Sequence, residues 1–305
     1  MRTSVDFTYN PRGSLYMQCY LLKTMAVFIS CVFCLLFVMI QAIIISICTP
    51  LTPTPSSLES VTSPCSSRSS RKDLILLSQG LTGIPKGSEE IETLDVSYNH
   101  IQHLPGYIFW NNSYINVKKL SLQQNRISNV SVDAFQGVRT VHEIDLSDNM
   151  ITSIDPYTFN SNTHLQKMVI MNNRLRFDRL QTFILSTSIQ YLVLSNNQID
   201  QIYEVTFLGV PNLRSLVLND NEVHQIATNS FRALNKLHYL SLANTGVYRL
   251  AESMFKHIPG IVNLEGTPLS LRFEPPLKKV TGQSVTQLVE LLNAMPESGE
   301  DLSKL

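Results

Sequence analysis

Cysteine is absent from everything that follows Cys65 in this 305-residue chain. The later part can therefore form neither a disulfide nor a thiolate metal site, and packing alone must hold its fold together. An excess of one charge is also absent. The 24 Lys and Arg residues balance the 24 Asp and Glu residues, and no long run of one sign occurs. Nucleic-acid binders usually carry a basic stripe or patch, so we predict no nucleic-acid partner.

Signatures of catalysis are also missing. There is no nucleophile elbow, no phosphate-cradling glycine loop and no cysteine–histidine metal cluster. His100 and His103 share one turn, not the helix that a zinc-protease motif needs. Ser121, His142 and Asp145 could approach one another, but polar residues of one exposed face do so by chance. We predict no enzyme, no catalytic residue, no metal or cofactor, and no small-molecule substrate.

A long apolar run, residues 25–48, follows a short arm, residues 1–24, whose basic residues outnumber its acids. About 20 apolar residues can span a bilayer as a helix, and a basic flank favours a cytosolic N-terminus. Two alternatives stay open: an uncleaved signal anchor, or a long signal peptide that is cleaved near residue 48. Both place the later residues outside the cytosol, as a single-pass membrane protein or a secreted one.

The next segment, residues 49–72, is rich in Ser, Thr and Pro and has little apolar area to offset the entropy of ordering. We interpret it as an extended stalk.

A repeat of 24 residues runs through the rest of the chain. Its units open at Ile91, Val117, Val141, Leu165, Ile189, Leu213, Leu237 and Ile261, so every interval after the first, of 26 residues, is 24. Apolar residues fill the fourth and sixth positions of the first seven units and alternate with polar or variable ones. This alternation is typical of a short strand with one buried face, so stacked units predict a parallel sheet.

Two further columns recur at fixed positions. The ninth position is asparagine in six units, where the side chain can pair with turn backbone: Asn99, Asn125, Asn149, Asn173, Asn197 and Asn221. A phenylalanine in each of the first seven units is predicted to stack into a spine: Phe109, Phe135, Phe159, Phe183, Phe207, Phe231 and Phe255.

These columns together resemble the extracellular "typical" class of leucine-rich repeats. The resemblance implies an α/β-type solenoid over residues 73–272: a horseshoe with a parallel β-sheet on its concave face and about seven full repeats plus partial caps. Two departures stand out. Leu76 occupies a position where a cap cysteine is expected, and Asp178 replaces an apolar residue in the fourth repeat beside Phe177, which predicts a local kink there.

The C-terminal tail, residues 273–305, is predicted to carry a helix over residues 284–295. Its apolar residues fall on one face and Pro296 ends it. The helix would cover the open end of the core, since terminal repeats need a polar outer face; docking of a partner is the alternative role.

The concave face is predicted to bind a protein ligand or cell-surface partner. Its first half is charged, through residues such as Glu92, Lys119 and Asp145, whereas its second half carries apolar side chains that mark an interaction site. The predicted binding residues are Lys167, Val169, Met171, Tyr191, Val193, Val217, Asn219 and Tyr239.

Two glycosylation sequons begin at Asn111 and Asn129, both off the predicted strands. We therefore expect a non-enzymatic extracellular module for ligand recognition or cell adhesion, tethered to the membrane if residues 25–48 are retained. The alternative is a secreted matrix or decoy protein with a structural role.

Overall fold

The computed structural model describes residues 72–273, 276 and 278–281, all of which belong to one compact unit, Cys65–Leu305. The predicted arm, the apolar run of residues 25–48, all but the last residue of the stalk, and the helix over residues 284–295 lie outside the described residues. Within the described ranges, no helix is both long and apolar enough to cross a bilayer.

A ten-stranded sheet, here called the main sheet, is the largest element of the described region. It is built from three-residue strands, one from each turn of the chain, and all neighbouring pairs are parallel except the last. The strands, in their order across the sheet, are β1 (Asp73–Ile75), β2 (Thr93–Asp95), β4 (Lys119–Ser121), β6 (Glu143–Asp145), β7 (Lys167–Val169), β8 (Tyr191–Val193), β10 (Ser215–Val217), β12 (Tyr239–Ser241), β13 (Ile261–Asn263) and β14 (Lys279–Thr281).

The central residue of each strand points into the core. Leu94 pairs in register with Leu120, and the next central residue along is Ile144. All three are buried, while the residues on either side of them are partly exposed or exposed. The alternation of the fourth and sixth positions thus produces the parallel-strand solenoid that the sequence predicts.

The last turn is shorter than the sequence periodicity suggests. Leu240 pairs with Val262, and Tyr239 pairs with Ile261, so Ile261 takes the third position of its unit rather than the first. The prediction of a 24-residue interval is wrong at this point, because two residues are missing before β13 and the strand register requires the central side chains to align. Thr267 consequently occupies the ninth position, and its hydroxyl donates to the carbonyl of Leu264 at 2.7 Å.

A left-handed residue follows each of the nine parallel strands of the main sheet, a feature that was not predicted from the sequence. The φ angles of these residues lie between 51° and 72°, and all stand at the eighth position of their turns: Ser78, Tyr98, Gln124, Asp148, Asn172, Asn196, Asp220, Asn244 and Gly266. Asn, Asp and Gly tolerate this conformation best. The run of such residues from the third turn onward therefore reflects the sharp turn that leaves the sheet.

The phenylalanine column is buried in the core, and its rings do not form one continuous row. Ring centroids of Phe109 and Phe135 lie 5.3 Å apart, and those of Phe231 and Phe255 lie 5.2 Å apart. The predicted single row is interrupted between Phe159 and Phe183 and again between Phe183 and Phe207, because neither pair of rings is in contact in the described structure.

Phe177 bridges the second of these gaps, between Phe183 and Phe207. Its ring meets Phe183 edge-on at 5.2 Å and Phe207 at 5.6 Å. Its neighbour Asp178 is exposed and accepts the backbone N–H of Leu180 at 2.6 Å. The departure in the fourth repeat therefore changes which aromatic rings pack together. It does not kink the main sheet, because β7 and β8 keep their register.

Short secondary strands follow some of the main ones. β3 (His103–Leu104) pairs with β5 (Asn129–Val130), and β9 (Gln201–Ile202) pairs with β11 (Gln225–Ile226). A four-residue helix, α1 (Ile108–Asn111), occupies the longer first turn, and two short 3₁₀ helices, Glu252–Met254 and Ser270–Arg272, lie near the end.

The C-terminal edge of the main sheet is covered by β14, which the sequence analysis did not predict. It runs antiparallel to β13 and places Val280, which is buried, opposite Val262. This strand extends the sheet beyond residue 272, the predicted end of the repeat domain. An edge strand that is paired no longer offers free backbone groups to another chain.

Candidate ligand-binding face

The open face of the main sheet is formed by the first and third residues of each strand, which point away from the core. Its composition changes along the sheet. Strands β2 to β6 present mostly charged residues, and β8 to β12 present Tyr, Val and Ser215, whereas Ser241 on β12 is buried. The face therefore has a charged half and a weakly polar half that meet at β7.

A column of three valines lies in the weakly polar half. Val169, Val193 and Val217 pair in register on the adjacent strands β7, β8 and β10, so their side chains are about 4.8 Å apart along the sheet. All three are partly exposed. Tyr191, beside Val193 on the first-residue column, is 45% exposed. The three valines and Tyr191 thus lie side by side, and we call them the apolar strip.

Lys167 belongs to the charged half, although the sequence analysis placed it with the apolar residues. Its Nζ lies 2.6 Å from Glu143, which is also 3.1 Å from Lys119. A second group of the same form joins Glu92 to Lys72 at 2.6 Å and to Lys118 at 2.7 Å. Each glutamate is held between two lysines from neighbouring turns, so each group carries net positive charge.

These lysines lower the pKa values of both carboxylates. Hydrogen bonds from Lys118 and from Lys72 lower the pKa of Glu92 from 4.5 to about 2. Partial burial acts to raise the pKa of Glu143, but the hydrogen bonds and charges of Lys167 and Lys119 together outweigh it and leave that pKa below its ordinary value. Both glutamates are therefore ionised throughout the physiological range, and the charge pattern of the face is fixed.

Tyr239 is partly covered from the C-terminal side. The ammonium of Lys279, on β14, stands 5.7 Å from the centroid of its ring, a cation–π distance. Asn219 is also engaged, since its Oδ1 accepts the backbone N–H of Ala243 at 3.2 Å. Met171 is partly exposed beside the valines. Of the predicted residues, the three valines, Tyr191 and Met171 thus form the accessible strip.

The asparagines of the ninth position lie inside the solenoid, where they satisfy turn backbone and cannot meet a ligand. Asn173 donates to the carbonyl of Leu146, 27 residues earlier, at 3.0 Å and accepts the N–H of Ile151 at 2.9 Å. Asn149 repeats this pattern one turn before, with Leu122 and Ile127. Each amide therefore ties its own turn to the one that precedes it.

A second polar ladder lines the border of the face, at the left-handed residues. Asn172 donates to Asp148 at 2.7 Å, and Asn196 donates to Asn172 at 2.8 Å. Asn244 donates to Asp220 at 2.9 Å in the same way. The apolar strip is thus bordered by amides and carboxylates. The frequent Asp and Asn at the eighth position were the sequence signal that could have revealed this ladder.

The three residues considered for a catalytic triad are engaged separately. Ser121 Oγ is 2.7 Å from Ser97 Oγ, and Asp145 Oδ1 accepts the backbone N–H of Ser147 at 2.9 Å. The ring of His142 lies 5.9 Å from that of His164. Within the described residues, no group of three or more His, Cys, Asp and Glu could hold a metal ion.

Both sequons lie away from the open face. Asn111 ends helix α1, and Asn129 begins β5. Both side chains are exposed, which is what attachment of a glycan requires. A glycan at either asparagine would leave the valine column accessible.

Comparisons with known proteins agree with the repeat architecture. A family model described as "Leucine rich repeat" matches residues 115–175, 163–223 and 187–247. The search of curated proteins returned no match.

Solved structures similar to this chain include the "Crystal structure of TLR13-ssRNA13 complex", with 22% sequence identity and a TM-score of 0.53, over 58% of this chain and 25% of that one. They also include the "Crystal structure of leucine-rich repeat domain of APL1B", with 18% identity and a TM-score of 0.48, over 64% of this chain and 55% of that one. This chain thus spans about a quarter of the first and about half of the second. At such identities the first similarity establishes the fold alone, and the second adds no argument.

Proposed function

We propose, from the premise that the repeat region is a leucine-rich-repeat solenoid, that this chain is a non-enzymatic protein-binding module that acts outside the cytosol in ligand recognition or cell adhesion. The open, concave face of the main sheet is its binding surface. The observation that carries the proposal is the column of Val169, Val193 and Val217, partly exposed on three adjacent strands.

Physical chemistry supports this choice of surface. Contact of exposed apolar side chains with water is unfavourable. A partner that covers them stabilises the complex by about 25 cal/mol per Å² of buried apolar area. The neighbouring lysines and glutamates, being exposed, add little binding energy but steer an oppositely charged partner as it approaches. Apolar contact would hold the partner, and the charged half would orient it.

The test compares Val193→Asp with Val132→Asp in the full chain. Val132 is an exposed valine outside the main sheet, so it controls for the general effect of a new surface charge. Protein partners are captured by crosslinking on intact cells that express each variant and are identified by mass spectrometry. We expect one partner to be recovered with the parent chain and with Val132→Asp, and to be reduced about tenfold, or about 1.4 kcal/mol, with Val193→Asp.

Equal capture of that partner by both variants, with unchanged melting temperatures, would refute binding at this face.

Localisation is the second element of the proposal. The chain is either anchored in the membrane by residues 25–48 or secreted after their removal, and in the latter case a matrix or decoy role replaces adhesion. N-terminal sequencing of the protein from the cell surface and from the medium separates these cases. Treatment with an N-glycosidase should increase electrophoretic mobility, and Asn111→Gln with Asn129→Gln should abolish that change. Protein confined to the cytosol would contradict both cases.

A further inference from the structure

A groove of about 790 Å³ lies beside the small sheet of β9 and β11. Its lining comes from segments that follow the main strands, and none of the lining residues belongs to the open face. Buried apolar side chains, including Ile202, Val247 and Met254, form its floor, and Ile226 is partly exposed there.

The groove arises because two neighbouring turns separate locally. They are in contact at Gly246, where an added Cβ would lie 3.2 Å from the carbonyl oxygen of Val223. They meet again where the N–H of Phe231 donates to the carbonyl of Met254 at 2.9 Å. Between these points the later turn, which is two residues shorter than the 24-residue repeats before it, forms no strand beside β11.

β11 is consequently an edge strand. In the described region β9 is its one ladder partner, and its other side faces the groove. An edge strand beside a groove can take up an extended peptide as an additional strand, so that backbone hydrogen bonds supply affinity and the groove selects side chains.

The charged side chains that line the groove are arginines, and these favour a negatively charged ligand. Arg179 and His224 are exposed on its rim, Arg249 also lines it, and none of the described lining residues is Asp or Glu. The exposed ring of Tyr248 adds an apolar wall. An extended peptide with apolar residues that enter the groove and carboxylates that meet the rim fits this arrangement.

We propose that this groove is a second binding site, separate from the concave face, which takes an extended acidic peptide segment of a partner protein as an added strand on β11. The edge strand favours a polypeptide over a nucleic acid, because it is the backbone amides and carbonyls of a peptide that continue a β-ladder.

The experiment uses the full chain, purified in detergent, and a fluorescein-labelled peptide, Glu-Glu-Val-Thr-Val-Glu-Glu, in fluorescence anisotropy. We expect saturable binding that weakens with added salt, because the rim contacts are ionic. Arg179→Glu combined with His224→Glu should weaken binding about tenfold or more, since like charges would then face the probe across the interface. Arg174→Glu, an exposed arginine outside the groove, is the matched control and should bind like the parent.

Several outcomes would overturn the proposal. These are equal binding by the groove variant and the control, equal binding of a probe with Lys in place of Glu, or stronger binding of a labelled deoxythymidine oligomer of similar length. Dimerisation that is lost in the groove variant would assign the groove to a second copy of this chain instead. Val193→Asp should leave the peptide affinity unchanged, so failure of this site and failure of the concave face can be told apart.

Discussion

Lys167 and Glu143, one turn apart in the solenoid, form a 2.6 Å ion pair across the strands β6 and β7. This pair ends the charged half of the concave face, and the first apolar side chain of the binding strip, Val169, stands two residues further along β7. The boundary between steering charge and apolar contact therefore falls on a single strand.

The paired glutamates predict an acid-sensitive contribution to stability. The pKa of Glu92 is about 2 in the folded protein and near 4.5 ordinarily, and that of Glu143 is also lowered. The folded state thus binds fewer protons than the unfolded state between these values. The stabilisation is present above about pH 4.5 and is lost as the pH falls towards 2.

The measurement is the melting temperature of the full chain between pH 2 and pH 6. Glu92→Gln combined with Glu143→Gln should flatten its decline with acid, whereas Glu89→Gln, an exposed residue outside both lysine groups, should not. Because the pairs are exposed, 0.5 M salt should also reduce the difference. Parallel curves for the parent and the double variant would contradict the assignment.

The asparagine ladder can be tested at Asn173. Asn173→Ala leaves the N–H of Ile151 without its acceptor inside the core, while the carbonyl of Leu146 keeps the amide of Asn149 as a donor. A buried unsatisfied group costs about 1–3 kcal/mol, so we expect the free energy of unfolding, measured with urea, to fall by about 2 kcal/mol. Gln198→Ala, at an exposed position of the next turn, should change it little. Equal effects of the two substitutions would show that the ladder does not stabilise the fold.

Phe177 is expected to matter as much as a member of the regular phenylalanine column. Its ring contacts Phe183 and Phe207 where the row is interrupted. Removal of a buried ring costs about 3–5 kcal/mol, so Phe177→Ala should destabilise the chain by that amount in urea unfolding. Leu180→Ala serves as the control in the same turn, because Leu180 is 85% exposed. A loss below 1 kcal/mol for Phe177→Ala would mean that the ring is dispensable.

Two glycines provide a matched pair. Gly137 has φ +88°, and a Cβ there would lie 2.5 Å from the ring of Trp110, whereas a Cβ on Gly83 would meet nothing within 4 Å. Gly137→Ala should therefore lower the unfolding free energy by about 1–2 kcal/mol from backbone strain alone, with a further loss from displacement of the indole. Gly83→Ala should be neutral or slightly stabilising. The fluorescence of the single tryptophan reports the displacement, and an unshifted emission spectrum in Gly137→Ala would count against it.

The C-terminal cover can be assigned by two truncations. A chain that ends after Phe273 lacks β14 and exposes the edge of β13, so we expect it to aggregate. A chain that ends after Gln283 keeps β14 and lacks the helix predicted over residues 284–295, and it should stay monodisperse in light scattering. If both truncated chains aggregate, the helix over residues 284–295 is the segment that covers the core. If both stay soluble, neither β14 nor that helix is needed as a cover.

Most of the repeat architecture could be predicted from the sequence because each column obeys a local rule. Alternation around Leu216 and Leu218 predicts a strand with one buried face, and an asparagine such as Asn221 predicts a turn whose backbone must be satisfied. The valine column was predicted in the same way, since residues one repeat apart become neighbours in a parallel sheet. The left-handed column escaped notice because Tyr98 and Gln124 obscure its Asn and Asp pattern.

The sequence by itself determined the period, the buried face of each strand and the asparagine ladder, because these depend on chemistry that every turn repeats. Tertiary structure alone decided where the repetition fails: the 22-residue last interval, the insertion of Phe177, the strand β14 and the groove beside β11. At those places the packing of one turn against the next fixes the outcome, and such packing depends on the shape of both neighbours, which no single repeat encodes.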